Sequence, residues 1–590
     1  MPQITIDGTK IETQAGKTII QAAYDNGMQI PHFCWHPELT VAGNCRMCLV
    51  EVGMPKRGRD GEIERNELGE PIIGFIPKLQ IACATQVSDG MVVRAHSEKA
   101  IEGQEAVMEF LLINHPLDCP ICDEAGECKL QEYAFKHSKG QSRFDELKNH
   151  KPKRQVWGPN VIFDAERCIS CSRCIRFSQE VAKQDVLTFV QRGDHVTIEL
   201  FDDTQLDNPY SMNVIEICPV GALTSQDFRF KARVWDMSFN DSITPADGSG
   251  NNISVGVRNN EILRIEPKTN PYVNKHWLTD DQRLNYHDYV NSNRVVAPMI
   301  KINGTLQNVE WKDATAKAAE LFKKYSTNEI MVVGSPRATT EDNFILQLFA
   351  KNILKTQNID LFPYFDESYE DHFLSTADRR PNTQGAITVG VKPGSSAVNR
   401  SNLASKIKSG AIKALYVMEE DFADFPEIVA ELEHLELLIV HAYNHNALTA
   451  FADVVFAAST FAEVEGTFVN TKGRVQHFKP FLVTRENMRF MGRTMSRLDK
   501  FGAMNDRWTQ HEQRLCKQSW GVIQMVANLM GADWSYKKSA DVFAEIEKRI
   551  LPFKGMSYEL LDEYQGLVFN KADRPDPKVN NYVSHVMKPH

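Results

Sequence analysis

At 590 residues the chain is too long for one hydrophobic core, and about three to five domains are expected. A formal net charge of -10 and a pI near 6.0 give no support for nucleic-acid binding. The longest apolar runs, around Leu435 to Val440 and Ala447 to Ala458, are broken by His, Asn and Asp and fall short of a membrane span. The N-terminus Met1-Pro2-Gln3-Ile4-Thr5 lacks both a basic and an apolar signal region, so the expectation is a soluble cytoplasmic protein with no transmembrane segment.

Ile4 to Ile6 and Lys10 to Thr13 flank Asp7-Gly8, a hairpin turn signal. Lys17 to Asn26 carries Ile19, Ile20, Ala22 and Ala23 at helical spacing, with Gly27 as its stop. Strand, turn, strand, helix and then a cysteine loop predict a small mixed sheet gripping a helix. Residues 53–71 are polar and Gly-rich and read as an exposed hairpin or loop insertion. Residues 98–113 read as a helix leading to His115-Pro116. Residues 145–160, basic and Pro-containing, suit a solvated linker, and a second small unit spans roughly 155–230. After Trp235 the short apolar runs Ile330–Gly334, Ala414–Met418 and Leu437–Val440 alternate with helical patterns at Glu341–Lys351 and Pro426–Leu432. That alternation predicts an α/β domain with a largely parallel sheet. From Phe553 the tail, including Lys571 to Lys578, reads as a polar segment that wraps a neighbour or moves freely.

The cysteines carry the chemistry. Of 12, 11 lie from Cys34 to Cys218, and only Cys516 follows. A disulfide framework does not concentrate thiols this way in a large acidic chain, whereas iron–sulfur clusters need close Cys-x2-Cys pairs. The first set is Cys34, Cys45, Cys48 and Cys83, with Gly43 letting the loop wrap tightly. Its spacing follows plant-type 2Fe–2S sites, although zinc or unrelated buried thiols fit the spacing too. The second set is Cys119, Cys122 and Cys128. Three thiols leave a cubane one ligand short, and His115, four residues upstream, is the candidate fourth, although a lone His is usually no ligand. The third set is Cys168, Cys171 and Cys174 with Cys218-Pro219 far downstream, the bacterial ferredoxin pattern. Eleven cysteines and one histidine supply four ligands to each of three clusters. Cys516 is left over as a buried small hydrophobe.

The segments Cys34 to Cys83, His115 to Cys128 and Cys168 to Pro219 resemble the large iron–sulfur subunit of NADH:quinone oxidoreductase, respiratory complex I. Gly334 to Asn343, Ile412 to Met418 and Glu465 to Gln476 are similar to that subunit's molybdopterin-oxidoreductase-like domain. The resemblance implies a multidomain α/β and α+β fold. Its parts are a β-grasp 2Fe–2S ferredoxin-like domain over 1–97, a one-His/three-Cys 4Fe–4S domain over 98–150, and a bacterial-ferredoxin-like 4Fe–4S domain over 151–232. A shortened, degenerate molybdopterin-oxidoreductase-like α/β domain without an active metal site completes it over 233–590.

The resemblance also implies the cofactors. One 2Fe–2S cluster sits on Cys34, Cys45, Cys48 and Cys83. One 4Fe–4S cluster sits on His115, Cys119, Cys122 and Cys128, and a second on Cys168, Cys171, Cys174 and Cys218. No catalytic residue, molybdenum ligand or molybdopterin is expected. The implied partners are the flavin/NADH-binding subunit, which donates electrons, and an iron–sulfur subunit leading toward quinone, with the membrane arm reached indirectly. The implied place is peripheral, on the cytoplasmic side of the inner membrane. Electrons would pass from the binuclear site to the all-Cys cubane and then to the His-ligated one. Trp235 to Pro267 contains no cysteine, so a further cluster found in some members is expected to be absent. No cysteine lies between Cys218 and Cys516, so molybdenum chemistry is not expected, with a Ser or Asp ligand left open. The alternatives are an iron–sulfur subunit of an NAD-linked hydrogenase, a formate dehydrogenase or a bifurcating complex. An iron-only hydrogenase lacks the C-terminal cysteines it needs, and a scaffold built on three zinc sites is the non-redox reading.

Overall fold

Asp7 and Gly8 both adopt positive φ, as a tight two-residue hairpin turn requires. They join β1 (Gln3–Ile6) to β2 (Thr9–Glu12) in antiparallel register. The molecule, a computed structural model, is described over residues 1–138, 140–290, 293–371, 373–487, 514–573 and 575–576. Two compact units part between Asp236 and Met237. Among the described residues no helix is long and apolar enough to cross a membrane.

In the first unit α1 (Ile19–Asp25) starts at a capping box made by Thr18 and Gln21. It buries Ile19, Ile20, Ala22 and Ala23 on a sheet whose strands present Ile4, Ile6, Val50, Val52 and Val93. That sheet contains β3 (Leu49–Pro55), β4 (Ile73–Phe75), β5 (Gln80–Ile81) and β6 (Val92–Arg94), in the order β2-β1-β6-β3-β4 with β5 on β3. β1 and β6 run parallel, and the helix lies across them as a grasp. The stretch between β3 and β4 is an exposed ladder closed by bridges Arg57–Ile63 and Arg65–Pro71, as its polar sequence predicts.

α2 (Glu98–Ile113), capped by Ser97, buries Ala100, Gln104 and Met108. Gln104 donates to the carbonyls of Leu49 and Ala95, fixing the helix to the sheet. α3 (Lys129–His137) begins at Cys128. Then come β7 (Gln155–Val156), β8 (Val161–Phe163), α4 (Arg173–Glu180), β9 (Leu187–Val190), β10 (Thr197–Leu200), α5 (Asn213–Ile217) and β11 (Leu223–Ser225). β11, β8 and β7 form one sheet, and β9 pairs with β10.

Residues 145–160 are largely exposed, as the solvated reading expects, but they are held down rather than hanging free as a linker. Lys148 donates to the Leu112 and Ile113 carbonyls, Lys151 donates to the Val196 carbonyl, and Lys153 pairs with Asp118 and Glu166. Trp157 is buried and stacks on Phe163 at 4.0 Å.

The second unit opens with an antiparallel meander, β12 (Ser238–Ile243), β13 (Asn252–Arg258) and β14 (Glu261–Pro267). Its main sheet uses β15 (Met299–Ile302), β16 (Thr305–Asn308), β17 (Ile330–Gly334), β18 (Ile359–Leu361), β19 (Ala414–Met418), β20 (Leu437–Ala442) and β21 (Val454–Ala457). The order is β16-β15-β21-β20-β19-β17-β18, parallel except for the β15–β16 hairpin edge and its join to β21. β17, β19 and β20 are buried at every residue, because apolar clusters cover both faces of the sheet. This is the α/β arrangement the alternating runs predict. Cys516 packs beside Val295, Met299 and Ala457, a buried small side chain as expected. β22 (Gly466–Val469) and β23 (Arg474–Phe478) form an antiparallel hairpin. The free-tail reading fails at its start. Phe553 is fully buried, Tyr558–Glu563 is helical, and β24 (Leu567–Val568) pairs with β23. Residues 574 and 577–590 lie outside the described residues.

Glu463 is fully buried between Arg294 (2.8 Å) and Arg514 (2.8 Å) and accepts the Thr460 amide at 2.9 Å. Burial pushes its carboxyl up, but the two guanidinium groups outweigh it and hold the group at about 2 against an ordinary 4.5. Its stabilising contribution is therefore present above pH 4.5 and lost as pH falls toward about 2. Glu463→Gln should cost about 3–5 kcal/mol, because it leaves buried guanidinium groups without their anion. Calorimetry should also show a flatter loss of stability across that acid range than in the native chain.

Candidate cluster-binding sites

All 12 cysteines are free thiols. The first set hangs on loops around the grasp sheet. Cys34 and Cys45 lie in the loop before β3, Cys48 abuts the strand, and Cys83 follows β5. Gly43 and Arg46 both take positive φ, which folds the Cys45–Cys48 loop back on itself. The Cys34 amide donates to Cys45 Sγ at 3.4 Å, and the Cys34 thiol meets those of Cys45 and Cys83, while Cys48 meets Cys83. Hydrogen bonds from Cys45 and Cys83 hold the Cys34 thiol below the usual range, and the bond from Cys83 lowers Cys48. These contacts chain all four thiols together, with Cys34, Cys48 and Cys83 each about 1% exposed.

The third set is equally closed. Ser170 and Ser172, between its cysteines, both adopt the left-handed conformation, which turns the run back on itself. The Ser170 amide donates to Cys168 Sγ at 3.3 Å. Burial pushes all four thiols up, Cys168 to about 12, and the charge of Cys171 acts on Cys168, Cys174 and Cys218 alike. Buried thiols that resist ionisation suit a cationic iron core, which takes thiolates and compensates their charge.

The second set is more open. Cys122 and Cys128 are buried and lie close enough to interact, whereas Cys119 is exposed. Cys119 and Cys128 share the wall of a cavity of about 380 Å³ with Gly126, Phe135 and Trp235. His115 is drawn down to about 4 by burial, with Lys148 and Arg167 adding to it, so its imidazole is neutral, the form that ligates. The groups acting on it are Lys148, Arg167, Asp118 and Lys153; of these Arg167 also acts on Cys122, and Asp118 precedes Cys119. Among the described residues no three His, Cys, Asp or Glu side chains close on a point as one tetrahedral ion needs.

Contacts run from set to set. Asn44 Nδ2 donates to the Ser170 carbonyl (3.1 Å), and Arg176 donates to the carbonyls of Cys34 and Cys171, linking the first set to the third. Arg167 pairs with Asp118 (2.9 Å) and reaches the Gly221 carbonyl (3.5 Å), linking the third to the second. Cys128 Sγ lies 3.9 Å from the Pro219 carbonyl. A Cβ on Gly221 would fall 2.1 Å from Cys122 Sγ, so only glycine permits this approach. Ring contacts also bring Tyr133, on α3, against Phe33 at 5.2 Å. Cysteine spacing alone does not single out Arg167, Arg173, Arg176 or Gly221. The available signal is basic residues set inside a cysteine run that has to be buried.

Comparisons with known proteins agree with this layout. The model "2Fe-2S iron-sulfur cluster binding domain" matches residues 2–98, "NADH-ubiquinone oxidoreductase-G iron-sulfur binding region" matches 104–143, and "NADH-quinone oxidoreductase subunit 3, ferredoxin-like domain" matches 158–224. A "NADH-ubiquinone oxidoreductase NDSU1/NuoG-like, 4Fe-4S domain" matches 239–287, a stretch without cysteine, and "Molybdopterin oxidoreductase" matches 372–489. The fold and its cysteine sites thus define an iron–sulfur protein with ferredoxin-like domains joined to a molybdopterin-oxidoreductase-like α/β domain.

The NADH-quinone oxidoreductase G subunit of Rickettsia bellii is 36% identical over 71% of this chain and 59% of its own length. Its counterpart in Thermus thermophilus, numbered 3, and the mitochondrial 78 kDa NADH-ubiquinone oxidoreductase subunit of Neurospora crassa are each 36% identical over 61% of this chain, and over 47% and 46% of their own lengths. Over the stretch these matches span, the chain is similar to the large iron–sulfur subunits of NADH-quinone oxidoreductase. It spans about half to three-fifths of the length of these curated relatives.

Gly221→Ala is expected to push Cys122 aside while sparing the other two sets. The measurable result is a loss of about four iron atoms per chain with the remaining visible absorbance retained. Unchanged iron and spectrum would mean that Cys122 has room to move and that the close approach is not required.

Proposed function

We propose that the chain is an electron relay of the peripheral arm of an NADH:quinone oxidoreductase, with no substrate site of its own. Cys34, Cys45, Cys48 and Cys83 hold one 2Fe–2S cluster. Cys168, Cys171, Cys174 and Cys218 hold one 4Fe–4S cluster, and His115, Cys119, Cys122 and Cys128 hold another. Such clusters supply one-electron chemistry at potentials set by ligand type, hydrogen bonds and burial.

The observation that carries the reading is the continuous line of contacts from the first set to the third and from the third to the second. It runs through Asn44 and Arg176, and then through Arg167 and the segment Cys218–Gly221. It supports an electron order of Cys34 site, Cys168 site, His115 site, which differs from the order in sequence. The protein's own part is to bury the thiols, fix their loops and exclude water. The relatives' names support partner subunits of an NADH-quinone oxidoreductase; a flavin-bearing donor, an iron–sulfur acceptor toward quinone and a place beside the inner membrane are the finer form of this proposal.

No molybdenum chemistry is assigned to the second unit. Strand order reverses at the carboxyl ends of β17 and β19, where α/β sheets bind ligands. There Ser335 Oγ donates to the Glu419 carbonyl at 2.8 Å, Tyr443 and Ser519 donate to the Glu419 carboxylate, and Arg380 pairs with Asp424 at 2.6 Å. These contacts, and the lack of a cysteine between Cys218 and Cys516, favour a structural role for the second unit.

Anaerobically purified chain should contain about ten iron atoms with matching acid-labile sulfide. About three zinc and no iron would overturn the reading. His115→Cys adds a thiolate charge to one cubane and should move its midpoint potential to more negative values in a dye-mediated paramagnetic-resonance titration. An unaltered signal and potential would remove His115 from the ligand set.

A further inference from the structure

Helix α4 starts inside the third cysteine run and carries Arg173 and Arg176 three residues apart, on one face. Arg173 is among the largest fully buried side chains, at 1% exposure. Its Nη1 donates to the Ile217 carbonyl at 3.0 Å and its Nη2 to the Trp35 carbonyl, while Nε has no partner. Ile217 precedes Cys218, and Trp35 follows Cys34. Arg176 donates to the carbonyls of Cys34, Thr40 and Cys171 and to Ser172 Oγ. The pair therefore clasps backbone next to, or belonging to, ligand residues of two different sets.

Neither guanidinium forms an ion pair with a carboxylate among the described residues. The negative groups that act on Arg173 are the sulfurs of Cys171, Cys34 and Cys45. A buried cation without a nearby anion is unfavourable. Two clusters held by thiolates alone would provide that anion, since each carries net negative charge and gains more on reduction. The His115 set has its own positive groups, none of them on α4: Arg167 and Lys153 pair with Asp118, and Arg233 donates to the carbonyls of Cys122 and Pro120.

We propose that Arg173 and Arg176 are positioning residues that act as a shared counter-charge for the Cys34 and Cys168 sites, raising the potentials of both while fixing the spacing of their ligand loops. The proposal rests on the cluster assignment above. Reduction adds negative charge beside the guanidinium groups, so they favour the reduced form at both sites together. One helix thus sets the potentials of two neighbouring sites, and the His-containing site is tuned separately.

The test is potentiometric titration, followed by paramagnetic resonance, of the iron-loaded full chain and its variants. Arg173→Gln should shift the binuclear signal and the all-Cys cubane signal to more negative potentials and leave the His115 cubane nearly unmoved. Arg173→Lys keeps the charge but not the two-carbonyl fork, and should recover most of the shift. Unchanged potentials at full iron content, or an equal shift of all three signals, would overturn the proposal. If Arg173→Gln loses iron, Arg176→Gln is read in the same way, and unchanged potentials there are equally fatal. If both Gln variants lose iron while Arg173→Lys loads fully at near-native potentials, the requirement is for charge and the proposal stands. If Arg173→Lys loses iron as well, the arginines serve only the fold and the proposal falls. Failure of the cluster assignment itself would be visible earlier, as a wild-type chain without iron or labile sulfide.

Discussion

A sulfur ligand withdrawn from water either keeps its proton or meets a cation, and the first unit is organised around that choice. The thiols of Cys168, Cys174 and Cys218 are driven toward the protonated state by burial, so they become ligands only when positive charge is brought to them. The loops that enclose them are short, strained by left-handed residues at Arg46, Ser170 and Ser172, and stitched by arginines that donate to backbone carbonyls instead of carboxylates. Sheet and helices serve as a frame for those loops. The grasp sheet anchors one set, and the small sheet of β7, β8 and β11 carries the chain from the third set back against the second.

The second unit obeys a different logic. Its parallel sheet is apolar on both faces, and a chain of buried polar groups links one edge of that core. Tyr416 shares a hydrogen bond of 2.6 Å with His441, which contacts Ser519 at 2.9 Å, and Ser519 in turn donates to Glu419. Burial draws His441 down to about 3 and pushes Glu419 up to about 8, so both are favoured in their neutral forms. A network satisfied from within is a rigid core and leaves little for a ligand to gain by entering.

Much of this architecture is legible from the residues. Asp7-Gly8 dictates its turn, the spacing of Ile19 to Ala23 dictates its helix, and the runs at 330–334, 414–418 and 437–440 are strands because a doubly covered sheet accepts unbroken apolar sequence. The basic stretch 145–160 misleads as a linker because its lysines find acceptors distant in sequence, Asp118, Leu112 and Val196 among them. The C-terminal segment misleads because its composition is polar on average, while Phe553 and Leu567 supply enough burial to dock it. Cysteine spacing separates the three sets but says nothing of their adjacency. That adjacency comes from Arg167, Arg176 and Gly221, whose contacts here span 54 to 142 positions of sequence. His115 is suggested by a vacancy in the count, and in the structure it shares the charged neighbours Arg167 and Asp118 with the second set.

The four residues from Cys218 to Gly221 belong to two sites at once, since one end supplies a thiol to the third set and the other end leaves room for a thiol of the second. Positions 122 and 221 are therefore not free to vary alone. In descendants of this chain, a side chain gained at one should be found only where the opposite wall has receded, and an insertion anywhere between 218 and 221 would disconnect two sites in a single event.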